Sequence, residues 1–201
     1  YAELARRLEA AGAADAIEAN LSCPNVHDAK TTRGAPLVAQ DPERVAQYTR
    51  TIRSATKLPL FIKLTPNILD IREPALAAQE AGADGVCLIN TLLGMAIDAE
   101  TRRPRLSNIV GGLSGPCIKP VALKMVWDAA RVLRIPIIGA GGICRASDAI
   151  EFLLAGARAV SIGSMSFRQP DAPVQAIRGI AAYLSRHAID DVNKLVGAME
   201  T

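Results

Sequence analysis

The hydrophobic positions of this chain gather in short apolar runs that alternate with amphipathic segments. Five runs stand out, each followed by residues rich in Gly, Asn or Pro: 16–21, 60–64, 85–89, 135–139 and 157–162. They are mostly apolar on both faces and lack strict alternation, which is typical of strands buried in a parallel sheet. The pattern therefore predicts five strands that alternate with helices.

Helix start and stop signals lie between these runs. Asp41 followed by Pro42 predicts an N-cap with proline at the first helical position, and Ser147-Asp148 predicts a cap for a helix over 149–154. The triplet Ala-Gly-Ala recurs at 11–13, 81–83 and 155–157. In each triplet the glycine can adopt the left-handed conformation that ends a helix shortly before a strand.

Parallel strands joined by helices have right-handed crossovers, so all five loops after the strands should lie at one edge of the sheet. The predicted fold is α/β, a (β/α)8 TIM barrel. It is incomplete, with about five of eight βα units and no N-terminal strands, because a whole barrel needs about 250 residues. Residues 1–201 are predicted to be the C-terminal part of a single domain, and the amphipathic start at Tyr1 predicts a cut within a longer protein. A doubly wound open sheet is the alternative, but no GxGxxG motif opens a helix.

Composition excludes several functional classes. The 23 Lys and Arg residues barely outnumber the 20 Asp and Glu residues and are scattered, so no nucleic-acid-binding face is predicted. No apolar run approaches the roughly 20 residues of a membrane span. Four separated cysteines without a CxxC pair argue against a metal site and predict free thiols in a reducing, cytoplasmic environment.

Glycine-bearing turns end the last two predicted strands. Gly141-Gly142 follows the fourth strand, and Gly163-Ser164 follows the fifth. In barrels the last two loops commonly bind a phosphate through backbone N–H groups, and glycine lets the chain approach it closely. The two turns therefore predict a phosphorylated ligand, with simple turn formation as the alternative.

Polar side chains near the other strand ends predict the rest of a site. Lys63 lies in an otherwise apolar run and is predicted to point into the barrel mouth, toward an anionic or electron-rich group; the alternative is a lysine that extends to solvent. Asn20, Asn25 and Asn90 offer donors and acceptors suited to a planar ligand with C=O and N–H groups. For Asn67, turn formation is the favoured role.

Cys23 is the candidate for acid–base chemistry, because it lies between Ser22 and Pro24 in a polar loop at the barrel mouth. A thiol with an ordinary pKa of about 8.5 can act as a base where its surroundings favour the thiolate. His27 is close in sequence, but its charged neighbours predict a solvated loop residue. Together these residues predict an enzyme with a phosphate-bearing cofactor, a planar amide-rich substrate and a cysteine base.

Six segments carry a family resemblance: NLSCPNV (20–26), FIKLTPNILDI (61–71), AGADGVCLINTLLGMAIDAETRRP (81–104), GGLSGPCIKP (111–120), PIIGAGGI (136–143) and AGARAVSIGS (155–164). In this order they resemble the catalytic subunit of class 1 dihydroorotate dehydrogenases, most closely the NAD-linked class 1B. The resemblance implies a TIM barrel that binds FMN and oxidises dihydroorotate to orotate in pyrimidine biosynthesis.

The resemblance also implies roles for individual residues. Cys23 matches the base that removes a proton from C5 of dihydroorotate while a hydride leaves C6 for N5 of FMN. Lys63 matches a lysine near the N1 and C2 carbonyl edge of the flavin. Substrate contacts are implied for Asn20, Asn25, Asn90 and Thr91, and FMN contacts for Asn20, Lys63, Ile89, Gly115, Gly141, Gly142, Gly163 and Ser164.

Partners follow from the same resemblance, which implies a homo-oligomer and an electron-transfer subunit that carries FAD and a 2Fe-2S cluster and passes electrons to NAD. Ser164 stands where the family usually has Thr, and the stretch 27–40 differs from the family's loop over the active site.

Two alternative functions remain open. Dihydropyrimidine dehydrogenase shares the KLTPN motif, although its usual His-Gly after Cys-Pro is Asn25-Val26 here. The other is a non-catalytic barrel fragment that binds no flavin.

Overall fold

The structure, a computed structural model, describes residues 1–22 and 37–200. The strands in these ranges are β1 (Ile17–Asn20), β2 (Leu60–Lys63), β3 (Gly85–Leu88), β4 (Leu92–Met95), β5 (Ile97–Asp98), β6 (Arg103–Pro104), β7 (Val110–Leu113), β8 (Ile137–Ala140) and β9 (Ala159–Ser161). The α-helices are α1 (Ala2–Ala10), α2 (Pro42–Arg53), α3 (Arg72–Glu80), α4 (Lys119–Ala130), α5 (Ala146–Leu154), α6 (Met165–Arg168) and α7 (Ala172–Arg186). Short 3-10 helices lie at Val38–Gln40, Pro116–Ile118 and Val192–Leu195.

Five strands form the central sheet, in the order β1-β2-β3-β8-β9, and each neighbouring pair is parallel. This spatial order is also the order along the chain, as in a barrel whose successive strands lie side by side. The five predicted strands are confirmed, with ends that differ by at most two residues. The predicted fold is also confirmed, because the sheet and its helices correspond to five of the eight units of a TIM barrel.

One face of the sheet packs on helices. Its residues Ile62, Val86 and Leu88 are fully buried. They belong to the same hydrophobic core as Val126 of α4 and Phe152 of α5. Burial of this apolar face against the helices is the main stabilising contribution to the fold.

The opposite face, called the inner face below, carries the alternate residues of each strand. Glu18 and Asn20 of β1 lie in register with Phe61 and Lys63 of β2. Lys63 is in turn opposite Cys87 of β3. Because the strands are parallel, their carboxyl ends meet at one edge of the sheet, called the carboxyl edge below.

The predicted helix stop signals are confirmed. At the end of α5 the N–H of Ala157 donates to the carbonyl of Phe152, and the N–H of Gly156 donates to that of Leu153. Gly156 has a φ of +115°, a left-handed conformation that favours glycine, and the same two-bond arrangement ends α1 and α3. Each helix therefore stops abruptly before the next strand.

One predicted helix start is right and the other is wrong. Asp41 caps α2, because its carboxylate accepts hydrogen bonds from the N–H groups of Glu43 and Arg44. The helix predicted over 149–154 is α5, which begins three residues earlier, at Ala146. Asp148 is therefore the third residue of α5 rather than its cap. The Asp148 carboxylate reaches back to the N–H groups of Cys144 and Arg145, at 2.8 and 2.9 Å.

The connection between β3 and α4 contains two antiparallel pairs that the sequence pattern did not predict. Strand β4 pairs with β7, and the two-residue strands β5 and β6 pair with each other. No clear alternation of apolar and polar residues marks these strands, because β7 contains two glycines and β5 and β6 have only two residues each. These strands are called the β4–β7 arm below.

The longest α-helix in the described ranges, α7, has 15 residues. None of the helices in residues 1–22 and 37–200 is long and apolar enough to cross a membrane. In the same residues, no group of three or more His, Cys, Asp or Glu side chains is placed to bind a metal ion.

Candidate active site

A cavity of about 420 Å³ opens at the carboxyl edge of the sheet. Nine residues predicted from the sequence line it: Lys63, Ile89, Asn90, Thr91, Gly115, Gly141, Gly142, Gly163 and Ser164. They come from loops that are far apart in the chain, and the parallel sheet brings them together. The functional roles given to them remain predictions, but their common location is a property of the fold.

Asn20 joins this group through hydrogen bonds. Its Oδ1 accepts bonds from Nδ2 of Asn90 at 3.1 Å and from Oγ of Ser22 at 2.9 Å. Nδ2 of Asn90 also donates to Oγ of Ser22 at 2.8 Å. Among residues 1–22 and 37–200, no group accepts a hydrogen bond from Nδ2 of Asn20, so this donor is available to a ligand.

Asn67 fixes the loops beside these carboxamides. Its Nδ2 donates to the carbonyl of Thr91 at 3.1 Å, and its Oδ1 accepts from the N–H of Leu93 at 2.8 Å. Gly112 of the β4–β7 arm packs closely against the Thr91 side chain. Asn67 therefore has the turn-forming role that the sequence favoured, and it holds Thr91 at the cavity wall.

Tight packing explains the glycines at 141 and 142. A Cβ on Gly142 would lie 2.8 Å from the backbone nitrogen of Lys119 and 2.9 Å from the carbonyl oxygen of Gly115. A Cβ on Gly141 would lie 2.9 Å from Cβ of Ala122. The loop after β8 therefore lies directly on the start of α4, and side chains are excluded from both positions.

Gly163 is in a different environment. A Cβ there would meet no atom of the described residues within 4 Å, its chain neighbours aside, and its φ is outside the left-handed region. Neither packing nor backbone conformation therefore requires glycine. Among the described residues, no group accepts a hydrogen bond from the backbone N–H of Gly163 or Ser164. Free N–H donors beside open space fit an anionic ligand such as a phosphate.

Lys63 extends along the inner face to the cavity wall. Its Nζ lies 3.3 Å from Oε1 of Glu18, and its side chain is 21% exposed. Cys87 of β3 lies in register with Lys63 and is fully buried. Burial raises the pKa of Cys87 to about 12, with opposing smaller effects from Lys63 and Glu18. Cys87 is therefore a neutral core thiol.

The loop after β8 is braced by a cluster of charges. Nζ of Lys119 lies 2.7 Å from Oδ1 of Asp148 and 2.8 Å from Oε2 of Glu151. Burial alone would raise the pKa of Asp148, but hydrogen bonds from Lys119 and from the N–H groups of Cys144 and Arg145 outweigh it and lower the pKa. The same carboxylate thus ties the glycine loop to both α4 and α5.

We expect Asp148→Asn to reduce the free energy of unfolding at pH 7 by about 1.5 kcal/mol, the lower end for hydrogen bonds to charged groups. Because the folded-state pKa is lowered, this stabilisation is present above the unfolded value of about 4 and is lost as the pH falls through the folded value. Urea unfolding at pH 7 and pH 3 should therefore show a difference between wild type and variant that shrinks in acid. Asp190→Asn is the control. It removes an exposed ion pair with Lys194 and should change the free energy of unfolding little. A stability difference between wild type and Asp148→Asn that is the same at pH 7 and pH 3 would contradict a stabilising role of the ionised Asp148 carboxylate.

Two predicted site residues, Cys23 and Asn25, lie outside the described residues, as does His27. Three contributions to the site were missed by sequence reasoning: Glu18 beside Lys63, Ser22 between the carboxamides, and the Lys119–Asp148 pair. Glu18 could have been found, because it is two residues before Asn20 and shares its face of the strand.

The Dihydroorotate dehydrogenase family model matches residues 1–184. Among curated relatives, "Dihydroorotate dehydrogenase B (NAD(+)), catalytic subunit" from Trichlorobacter lovleyi is 50% identical over 200 residues. The protein of the same name from Desulforamulus reducens is 49% identical over 198 residues. These matches cover 100% and 98% of this chain, whereas the chain spans 64% of the length of each relative.

Solved structures agree with the sequence matches. The crystal structure of DHODH from Eimeria tenella in complex with ferulenol has a TM-score of 0.76 and 25% identity, and the match covers 97% of this chain and 57% of that one. The structure of the ligand-free form has the same TM-score, and the match covers 96% of this chain and 58% of that one. With the match over residues 1–184, the chain belongs to the dihydroorotate dehydrogenase family.

Proposed function

We propose that the full-length protein is a dihydroorotate dehydrogenase of the NAD-linked type that uses FMN. In this reaction dihydroorotate loses a hydride from C6 and a proton from C5, and orotate with a C5–C6 double bond remains. FMN, when bound, supplies the hydride acceptor at N5. The observation that carries the proposal is the single cavity lined by nine predicted site residues, in a chain of this family.

The glycine turns would hold the FMN phosphate. Gly163 and Ser164 present N–H groups that no described residue accepts a hydrogen bond from, and Gly163 faces space that no described residue fills. Gly141 and Gly142 let the neighbouring loop pack on α4, and Gly115 completes the same wall of the cavity. These are the features that a phosphate-binding turn requires, so the residues present fit the cofactor.

Lys63 would provide positive charge to the flavin ring. Lys63, at the end of β2, lines the cavity together with Ile89, whose apolar side chain can pack against a planar ring. A fixed cation near the ring favours the form that carries additional negative charge. Lys63 would therefore help the ring to accept electrons.

The carboxamides would bind and orient the substrate. No described residue accepts a hydrogen bond from Nδ2 of Asn20, and its Oδ1 is held in place by Asn90 and Ser22. Asn90, Thr91 and Asn25 would supply further polar contacts to the amide and carboxylate groups of dihydroorotate. Cys23 would remove the C5 proton through its thiolate sulfur.

Anaerobic addition of substrate to the flavin-loaded full-length protein tests this proposal. We expect dihydroorotate to bleach the visible absorbance of the flavin, because the hydride from C6 is transferred to the bound ring, and dihydrouracil to leave that absorbance unchanged. Bleaching by dihydrouracil instead would indicate a pyrimidine-reducing enzyme of the dihydropyrimidine dehydrogenase kind. A purified protein that retains no flavin would support a non-catalytic barrel.

Electron transfer beyond the flavin would need a partner. The curated relatives are named catalytic subunits, which implies a second subunit. We propose that this partner carries FAD and a 2Fe-2S cluster and passes electrons to NAD, and that the catalytic subunit is a homo-oligomer in the cytoplasm. The described residues would belong to one FMN-binding barrel domain.

A further inference from the structure

Lys63, which lines the cavity, forms an ion pair with Glu18, a residue that was not part of the predicted site. Nζ of Lys63 is 3.3 Å from Oε1 of Glu18. The residues belong to neighbouring strands, and both point to the inner face. Their side chains are 41% and 21% exposed, so the pair is partly screened by water but not fully solvated.

Glu18 is the anionic side chain, within the described part of the chain, that forms an ion pair with Lys63. The other titratable neighbour is Cys87, which is neutral because its pKa is raised by burial. The charge that Lys63 presents to the cavity is therefore modified by one carboxylate. That carboxylate also restrains a flexible four-carbon side chain that would otherwise sample several rotamers.

We propose that Glu18 is a positioning residue that holds the Lys63 ammonium at the cavity wall and partly offsets its positive charge, so that it sets the reduction potential of the bound flavin. This inference rests on the proposed function, because it requires a flavin ring beside Lys63. Glu18 touches neither the cofactor nor the substrate in this account and acts through Lys63 and its own electric field.

The two residues should have opposite effects on the flavin. Removing Lys63 takes away positive charge and disfavours the reduced, more negative ring. Removing the charge of Glu18 leaves the ammonium uncompensated and favours that ring. A purely structural role for Glu18 would instead misplace Lys63 and produce a shift in the same direction as its removal.

The test is a redox titration of the flavin-loaded full-length protein with the variants Glu18→Gln, Glu18→Asp and Lys63→Met. Glutamine still accepts a hydrogen bond from Nζ, so this change removes charge with little change in shape. We expect Glu18→Gln to favour the reduced flavin about tenfold, a potential about 30 mV more positive for a two-electron couple. Lys63→Met should shift the reduction potential in the negative direction. Glu18→Asp keeps the charge, so its equilibrium between oxidised and reduced flavin should stay within about threefold of wild type. That is less than half of the tenfold change when both are compared as potentials.

An unchanged potential in Glu18→Gln, or a shift in the same direction as Lys63→Met, would overturn the inference. A wild-type flavoprotein that dihydroorotate does not reduce would overturn the proposed function alone, since chemical reductants still give the potentials. A wild-type protein that binds no flavin would overturn both.

Discussion

Replacing Cys23 by serine should slow the reduction of bound flavin by dihydroorotate by about 10²- to 10⁴-fold, the usual contribution of a general base. A hydroxyl gives up its proton far less readily than a thiol, so the variant lacks a base that can accept the C5 proton near neutral pH. The rate of flavin bleaching in anaerobic stopped-flow experiments measures this effect.

Two observations should accompany the loss of rate. The visible spectrum of the flavin should be unchanged, because Cys23 is not expected to bind the cofactor. Cys117→Ser is the matched control, since this exposed thiol does not line the cavity, and it should react like wild type. If Cys23→Ser reduced its flavin at the wild-type rate, another group would have to be the base.

Replacing Gly163 by aspartate should weaken FMN binding at least a hundredfold, which corresponds to about 2.7 kcal/mol. The added carboxylate would enter open space, since no atom of residues 1–22 or 37–200 beyond the chain neighbours lies within 4 Å of the new Cβ, so the fold should tolerate it. It would stand where the phosphate dianion is proposed to bind, and like charges at such short range repel strongly. Titration of the apoprotein with FMN gives the dissociation constants.

Gly163→Asn is the matched control for this change, because asparagine has the same size without the charge. It should weaken FMN binding much less than aspartate does. Equal effects of the two variants would indicate crowding rather than repulsion of a phosphate.

Local chemistry was enough to predict the five strands of the central sheet and the ends of α1, α3 and α5. The short apolar runs predict these strands, because strands buried on both faces of a parallel sheet carry apolar residues on both faces. The Ala-Gly-Ala triplets fix helix ends such as that at Gly156, because the left-handed residue there favours glycine. Lys63 could be singled out because a lysine in an apolar run is rarely buried without a partner for its charge.

Other features depend on which strands become neighbours. The partner of Lys63, Glu18, is 45 residues away in sequence, and only the register of β1 with β2 brings the two together. The ion pair of Asp148 with Lys119 likewise joins residues 29 apart, although the hydrogen bond from the Cys144 N–H to Asp148 is local. The two pairings follow from the assembled sheet and its helices, even though the strand face of Glu18 can be read from the sequence.

The β4–β7 arm shows a further limit of local patterns. Its strands have two to four residues, too few to establish a period of two. Their pairing connects residues such as Leu92 and Leu113 across a loop of mixed composition. The family resemblance marked this stretch as characteristic, but the apolar pattern alone gave no strand there.

We propose that the cavity at the carboxyl edge binds FMN with its phosphate at Gly163 and Ser164. The affinities of the apoprotein for FMN and for riboflavin, which lacks the phosphate, test this proposal. Wild type should bind FMN far more tightly than riboflavin, and Gly163→Asp should remove most of that preference while leaving riboflavin binding close to that of Gly163→Asn. Equal affinity of the wild-type protein for the two flavins, or an undiminished preference in Gly163→Asp, would contradict the claim.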